Sequence, residues 1–400
     1  LYDICRGANV DPGLAEQYRQ LWLRQAQEGV VAAQTTAVQD CPHRGEQVSE
    51  NGEQKLRDCV GCGGRVRLKV FSCLHPAREP DEITLQDCGT CLYRPRETTG
   101  ARKLILKNHL SPGDVTVMTA AIYSLHKANP GQFVTAVDTT CNAVFEHNPD
   151  VVDAGEGFET MEVHYPAIDA SNQRLISFAS AYCEFFSQAL SVPVPLLTNR
   201  PAIHLSKREK SWTNQVEEMG FKGKFWLICA GRKDDYTAKF WGTENYQRVV
   251  DLLRGKVLFV QIGAAEHHHP PLRNVVNLVG KTDARQLIRL VWHSQGALGG
   301  VTFLQHLAAG LEKPYICIMG GREPVAWNSY PKQFLLHVIG ALDCCQEGGC
   351  WRSRTQKIGD GDEKDKSLCE YPVPGEEAIP RCMALIQPEE VVAKILLFRT

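Results

Sequence analysis

The chain has 400 residues, with 44 Lys and Arg against 46 Asp and Glu, a formal net charge of −2, 43% hydrophobic residues and 16 cysteines. At roughly 100–200 residues per domain, that length predicts two large units or two with small appendages. The near-neutral balance lacks the cation surplus that drives non-specific binding to DNA or RNA, which speaks against a nucleic-acid partner. No run of about 18 uncharged apolar residues occurs, and the opening "LYDICRGANVDPG" has no basic segment followed by an apolar core. The expectation is a cytoplasmic protein with no membrane span and no export signal.

Sixteen cysteines is an even number, but disulfide frameworks belong mainly to small secreted domains that cannot build a core. Here Cys41, Cys59, Cys62, Cys73, Cys88 and Cys91 crowd one stretch, and Cys344, Cys345, Cys350, Cys369 and Cys382 crowd another. Cys5, Cys141, Cys183, Cys229 and Cys317 are scattered. Clustering at short spacing favours thiolate metal sites over disulfides.

In chain order, residues 11–28 place Leu14, Tyr18 and Leu21 on one face at helical spacing after Asp11 as N-cap and Pro12 in the first turn. The stretch to about residue 100 is short of apolar runs, so a bound metal is its expected source of order. Then "KLILKN" reads as a strand, Val115 to Ala128 as a helix and "QFVTAVDT" as a strand, a βαβ unit that predicts a parallel sheet. A second series follows the Pro-rich "SVPVPLLTNRPAIHLS". It runs "KFWLICAG", a helix around Tyr246 to Leu253, the apolar runs "KVLFVQIG", "QLIRLVWHS" and "GALGG", a helix from about Leu304 to Leu311, and "PYICIMGG". Two such series imply two Rossmann-like domains facing a cleft, with ligands at the carboxyl edges of the strands. The final helix, "QPEEVVAKILLFR", begins at Pro388 and offers Val391, Ile395, Leu396 and Phe398 as an apolar face.

Three loops carry candidate chemistry. In "SPGDV", Gly113 permits a tight turn and Asp114 opens the next helix, either as a cap or as a base at the cleft. In "CAGRKDDYTAKFWGTENY", Gly231, Arg232, Lys233 and Lys239 put amides and cations at a strand end; this is a phosphate site or an ordinary polar loop. In "LGGVTFLQHLAAG", Gly300 and Thr302 precede a helix whose first amides lack intrahelical partners. His306, one turn in, either reaches a ligand or packs with a satisfied ring.

Taken in order, strand-Gly-Asp-helix, Lys-x-Trp, "NLVGKTDARQLIRLV" and Gly-Gly-x-Thr-x3-His-Leu-Ala-Ala-Gly-Leu-x-Lys-Pro resemble glycosyltransferase family 9, the ADP-heptose heptosyltransferases, over about residues 102–330. The resemblance implies a GT-B fold, inverting transfer from a nucleotide sugar with no metal required, and a base at Asp114. It also implies a phosphate-binding Lys at Lys239, a phosphate-binding Thr at Thr302 and the signature His at His306. The signature's Asp is Val301 here and its Gly is Phe303. The C-terminal cysteines look like the metal finger of bacterial autotransporter heptosyltransferases, where four cysteines hold iron. Cys350, Cys369 and Cys382 are three expected ligands, with Cys344 or Cys345 as the fourth, and four thiolates accept iron or zinc. Trp351, Arg352 and Arg354 beside them read as contacts to a neighbouring subunit or acceptor, or as a solvated loop.

Cys59-x2-Cys62 and Cys88-x2-Cys91 are two knuckles of a zinc-ribbon-like site, and Cys41, His43, Cys73 and His75 could complete a second, or one pair of them could replace part of the first. The run His267, His268, His269 reads as a polar loop near the donor more readily than as a metal site. The expected organisation is an N-terminal helix and metal-binding module over 1–100, an acceptor domain over 101–198, a nucleotide-sugar domain over 199–340 and a cysteine finger with its helix over 341–400. The expected activity is transfer of heptose or hexose from a nucleotide sugar to a hydroxyl of a protein or peptide by a cytoplasmic, possible homo-oligomeric enzyme with structural zinc or iron. The alternative is a GT-B shell without turnover whose metal ribbons grip a partner protein.

Overall fold

The computed structural model describes residues 44–47, 56–58, 65–67, 70–73 and 82–84, and residues 100–398 apart from 165–171, 175 and 376. The chain divides into two units, Leu1–Glu97 and Thr98–Thr400. In the first, strands β1 (Arg44–Gln47), β4 (Val70–Cys73) and β5 (Glu82–Thr84) form an antiparallel sheet in the order β1-β4-β5, while β2 (Leu56–Asp58) pairs antiparallel with β3 (Arg65–Arg67). Cys59 and Cys62 fall in the connection from β2 to β3. They lie outside the described residues, as do Cys41, His43, His75, Cys88, Cys91 and the helix expected at 11–28.

The second unit opens with the βαβ unit that the apolar pattern predicts. Strand β6 (Arg102–Asn108) pairs in parallel with β7 (Phe133–Thr139) and with β8 (Glu159–Glu162), and α1 (Pro112–Ala128) joins the first two. Ser111 is the N-cap of α1 and Pro112 its first residue, where a missing N–H costs nothing. The helix is buried along most of its length. It packs with α2 (Phe178–Leu190), which carries Phe178, Tyr182 and Phe186 into the core.

After the short helices α3 (Lys207–Ser211) and α4 (Gln215–Glu218) comes a six-stranded parallel sheet. Its members are β9 (Phe225–Ile228), β10 (Leu258–Gln261), β11 (Val276–Asn277), β12 (Gly296–Gly300), β13 (Tyr315–Gly320) and β14 (Gln333–His337), in the order β11-β10-β9-β12-β13-β14. That is the doubly wound dinucleotide order, which reverses between β9 and β12. Helices α5 (Thr243–Leu252), α6 (Ala284–His293) and α7 (Phe303–Gly310) make the connections. The run "QLIRLVWHS" lies mostly within α6, capped by Asp283, whose side chain accepts from Gln286 N. Its apolar residues repeat at helical spacing, burying Ile288, Leu290 and Val291.

The tail returns to the six-stranded sheet through β15 (Pro372–Val373), β16 (Ile379–Pro380), α8 (Arg381–Ala384) and α9 (Pro388–Leu397). Val391 and Ile395 are fully buried with Trp226, Trp241 and Met383, whereas Leu396 stands on the exposed side of α9. Among the described residues, no helix is long and apolar enough to cross a membrane.

Candidate donor and acceptor site

Strands β9 and β12 are the neighbours between which the sheet order reverses, so their carboxyl ends open the crevice where such sheets bind ligands. After β12, the Gly300 carbonyl accepts a hydrogen bond from Tyr315 Oη at 2.7 Å, and Thr302 is the N-cap of α7. Thr302 Oγ1 is buried close to Tyr315 Oη. A buried hydroxyl at a helix start, beside amides that lack intrahelical partners, fits an anionic oxygen.

The turn Thr237–Lys239 follows β9 and brings Lys239 Nζ to 2.6 Å from Glu323 Oε1. Glu323 follows β13, is 2% exposed and also takes the neighbouring Arg322 guanidinium. Burial lowers the Lys239 pKa, with Glu323 opposing that shift. Burial pushes Glu323 up, but Lys239 and Arg322 outweigh it and hold the carboxyl below its usual range. The result is a fixed cluster of two cations and one carboxylate at the crevice, with the Lys239 side chain still 30% exposed.

The N-terminus of α1 meets this cluster from the first half. A Cβ on Gly113 would stand 3.2 Å from His306 Cδ2 and 3.7 Å from Phe303 N, so glycine lets the starts of α1 and α7 approach. Asp114 accepts from Ser111 N at 3.1 Å and from Ser111 Oγ at 2.8 Å, which is a cap. The same carboxylate favours the charged form of Lys239. His306 is 4% exposed, with Nδ1 at 2.9 Å from Tyr330 Oη and its ring edge-on to Phe178. Burial, aided by the Lys239 charge, lowers its pKa to about 3, so the ring is neutral at pH 7.

Gly231 and Arg232 follow β9 and pack against the loop that carries His268 and His269. A Cβ on Gly231, or on Gly263 after β10, would overlap the His269 ring. Arg232 forms a two-way backbone bridge with His268, and its guanidinium lies 3.0 Å from Asp234 and over the Phe240 ring. His269 is thus packed between two strand ends, and burial lowers its pKa to about 4. His268 lies 3.4 Å from Glu377.

Cys344, Cys350, Cys369 and Cys382 line one pocket together with Arg322 and Arg352. Burial raises all four thiols, Cys344 to about 12 and Cys382 to about 11, and neighbouring cysteines add to the shift. Cys345 is buried with its thiol donating to the Leu342 carbonyl at 3.3 Å. Among the described residues, no three cysteine sulfurs lie within 4.8 Å of one another. Trp351, Arg352 and Arg354 make contacts within the chain. Trp351 Nε1 donates to Asn172 Oδ1 at 3.0 Å, Arg352 pairs with Glu370, and Arg354 has no exposed surface and holds Asp360 and Asp365. The reading of Arg354 as an intersubunit or solvated residue is therefore corrected: three acceptors on its own tail and on Asp235 enclose it.

Sequence reasoning missed Arg322, Glu323 and Tyr330. The first two were accessible, because "GGREP" directly follows the apolar run of β13 and so sits at a carboxyl edge. Tyr330 was not, since only packing brings it to His306.

Residues 174–347 match the family model described as glycosyltransferase family 9 (heptosyltransferase). Over that stretch the chain is similar to family 9 heptosyltransferases. Lys239, Gly300, Thr302, His306 and Glu323 lie inside the matched stretch, and Asp114 precedes it in the chain. Its α/β fold is similar to that of a family 9 glycosyltransferase from Veillonella parvula, at 11% identity and a TM-score of 0.52 over 74% of this chain and 97% of the other. It is also similar to the iron-containing dodecameric glycosyltransferase TibC of enterotoxigenic E. coli, at 15% identity and a TM-score of 0.51 over 84% of this chain and 85% of that one. TibC has also been solved in complex with ADP-D-beta-D-heptose, with the same identity and TM-score. No curated protein matches the chain.

Proposed function

We propose that the protein is an inverting glycosyltransferase that moves a heptose or hexose from a nucleotide sugar to a hydroxyl of a protein or peptide. The observation that carries this reading is the close approach of the start of α1, where Asp114 follows Gly113, to the start of α7, together with the Lys239–Glu323 pair after β9 and β13. Asp114 takes the proton from the acceptor hydroxyl, whose oxygen attacks the anomeric carbon from the face opposite the leaving group. The bond from that carbon to the diphosphate oxygen breaks, and the nucleoside diphosphate departs with the electron pair. Lys239, Thr302 and the first amides of α7 meet the charge that develops on it. No metal is needed for that step. Neutral His306 keeps the α7 start desolvated without adding a charge.

The cysteines are assigned a structural role. Cys344, Cys350, Cys369 and Cys382, which line a single pocket while the Cys345 thiol is directed at a backbone carbonyl, would hold one zinc or iron ion by drawing their sulfurs together from the wider spacing described above. Four thiolates leave no open coordination position, so such an ion supplies order to the tail. Cys59, Cys62, Cys88 and Cys91 would do the same for the first unit, which would recognise the acceptor protein. The cytoplasm, where nucleotide sugars are held, is the proposed compartment.

Purified protein screened with nucleotide sugars and candidate peptides is expected to give a glycosylated peptide or a released nucleoside diphosphate. Nucleotide binding with neither product would instead support a binding protein without turnover, the reading favoured by Val301 at the position of the signature's Asp.

A further inference from the structure

Residues 350–355 run between two parts of the proposed donor seat and bond to both. On one side, Cys350 N donates to Gly321 O at 3.1 Å, Trp351 N donates to Arg322 O at 3.0 Å, and Arg322 Nε donates back to Arg352 O at 2.6 Å. On the other, Ala238 N donates to Ser353 O at 3.1 Å and Thr355 N donates to Thr237 Oγ1 at 2.8 Å, with the two threonine hydroxyls 3.0 Å apart. The first set fixes the backbone just before Glu323. The second fixes the turn that carries Lys239.

The segment is held firmly at both ends. A Cβ on Gly349 would overlap the Arg322 carbonyl, so only glycine permits the approach there. At the far end, the Arg354 guanidinium makes two bonds of 2.8 Å to Asp360 and another to Asp365. Lys239 lies in the turn that follows β9 and Glu323 in the loop that follows β13, and their 2.6 Å contact needs those two segments kept at one separation.

We propose that residues 350–355 are a positioning element of the donor site: the cysteine-rich tail ties the Lys239 turn to the Glu323 loop and so sets the cation that receives the diphosphate. The proposal rests on the reading of Lys239 as a donor ligand given above. Thr237 is the informative position, since its hydroxyl serves this segment while its side chain is buried beside Thr355, two residues ahead of Lys239.

The test uses the full chain carrying Thr237→Val. Acetylation of Lys239 by acetic anhydride is followed by mass spectrometry against the exposed Lys233, and ADP, GDP and UDP are titrated by calorimetry. The expected result is a severalfold rise in Lys239 acetylation and about a tenfold weaker Kd for whichever nucleotide binds, the scale of one charge-assisted hydrogen bond. Thr237→Ser should restore both. Unchanged acetylation in folded Thr237→Val protein overturns the proposal. Should that variant fail to fold, Gly349→Ala, which forces the segment off Arg322, is carried through the same two measurements: a rise in Lys239 acetylation with weaker nucleotide binding supports the positioning role, and unchanged acetylation overturns it. A changed Lys239 reactivity, combined with nucleotide binding that survives Lys239→Ala, keeps the positioning role and overturns Lys239 as the phosphate ligand.

Discussion

Along the three-stranded sheet of the first half, Arg102 pairs with Glu159, Lys107 with Glu162 and His109 with Asp138, and every partner is more than a third exposed. In the six-stranded half, Lys239, Arg322 and Glu323 gather at the ends of β9 and β13, where the Glu323 side chain is only 3% exposed. Exposed pairs are screened and worth about 0–1 kcal/mol. A buried cluster must be satisfied in full, and replacing it by apolar residues is often neutral or stabilising. Charges kept under that burden at the switch point of a parallel sheet are therefore expected to act on a ligand, whereas those along the first sheet keep its surface soluble.

The largest expected effect breaks the link between the two halves. Asp114→Asn should lower transfer by about 10²- to 10⁴-fold, the usual contribution of a general base, while nucleotide binding measured by calorimetry persists. Loss of both together would make Asp114 a cap alone. Next comes the buried cluster itself: Glu323→Ala leaves Lys239 and Arg322 facing each other and should cost about 3 kcal/mol in a urea melt. A loss no greater than at a surface pair would show that the cluster is solvated.

A smaller effect concerns protonation. The folded pKa of His306, about 3, lies below the unfolded value, so the unfolded chain binds its proton more readily in acid. That contribution is fully present above a pH of about 6.5 and is lost as pH falls toward the folded value. The urea midpoint should decline through that window, and His306→Asn should flatten the decline. The smallest effect belongs to the first sheet, where Lys107→Ala should change stability by less than about 0.5 kcal/mol.

The parallel α/β organisation was legible because the short apolar runs within β6, β7 and β9 alternate with segments of helical length such as α1 and are bounded by Gly and polar turns. Capping was legible too, since Ser111-Pro112 and Asp283 are local signals. The donor site was half legible. Lys239 and Thr302 sit in turns that follow strands, and His306 lies in the first turn of α7, but Glu323 reaches Lys239 from 84 positions away, through a strand pairing that periodicity does not specify. The tail was the least legible part. Its cysteines announce themselves by spacing, yet the buried Arg354 and the hydrogen bonds of residues 350–355 to Thr237 and Arg322 depend on where the tail docks. Trp351 and Arg352 likewise carry no sequence signal for the partners they take.

The most direct test of the account is a calorimetric titration of wild-type protein and Lys239→Ala with ADP, GDP and UDP. The account predicts that one of these binds the wild type and that the variant loses at least about tenfold in affinity, as expected when a charge-assisted contact to a phosphate is removed. Equal affinity in the two proteins, or no binding of any of the three to the wild type, would contradict it.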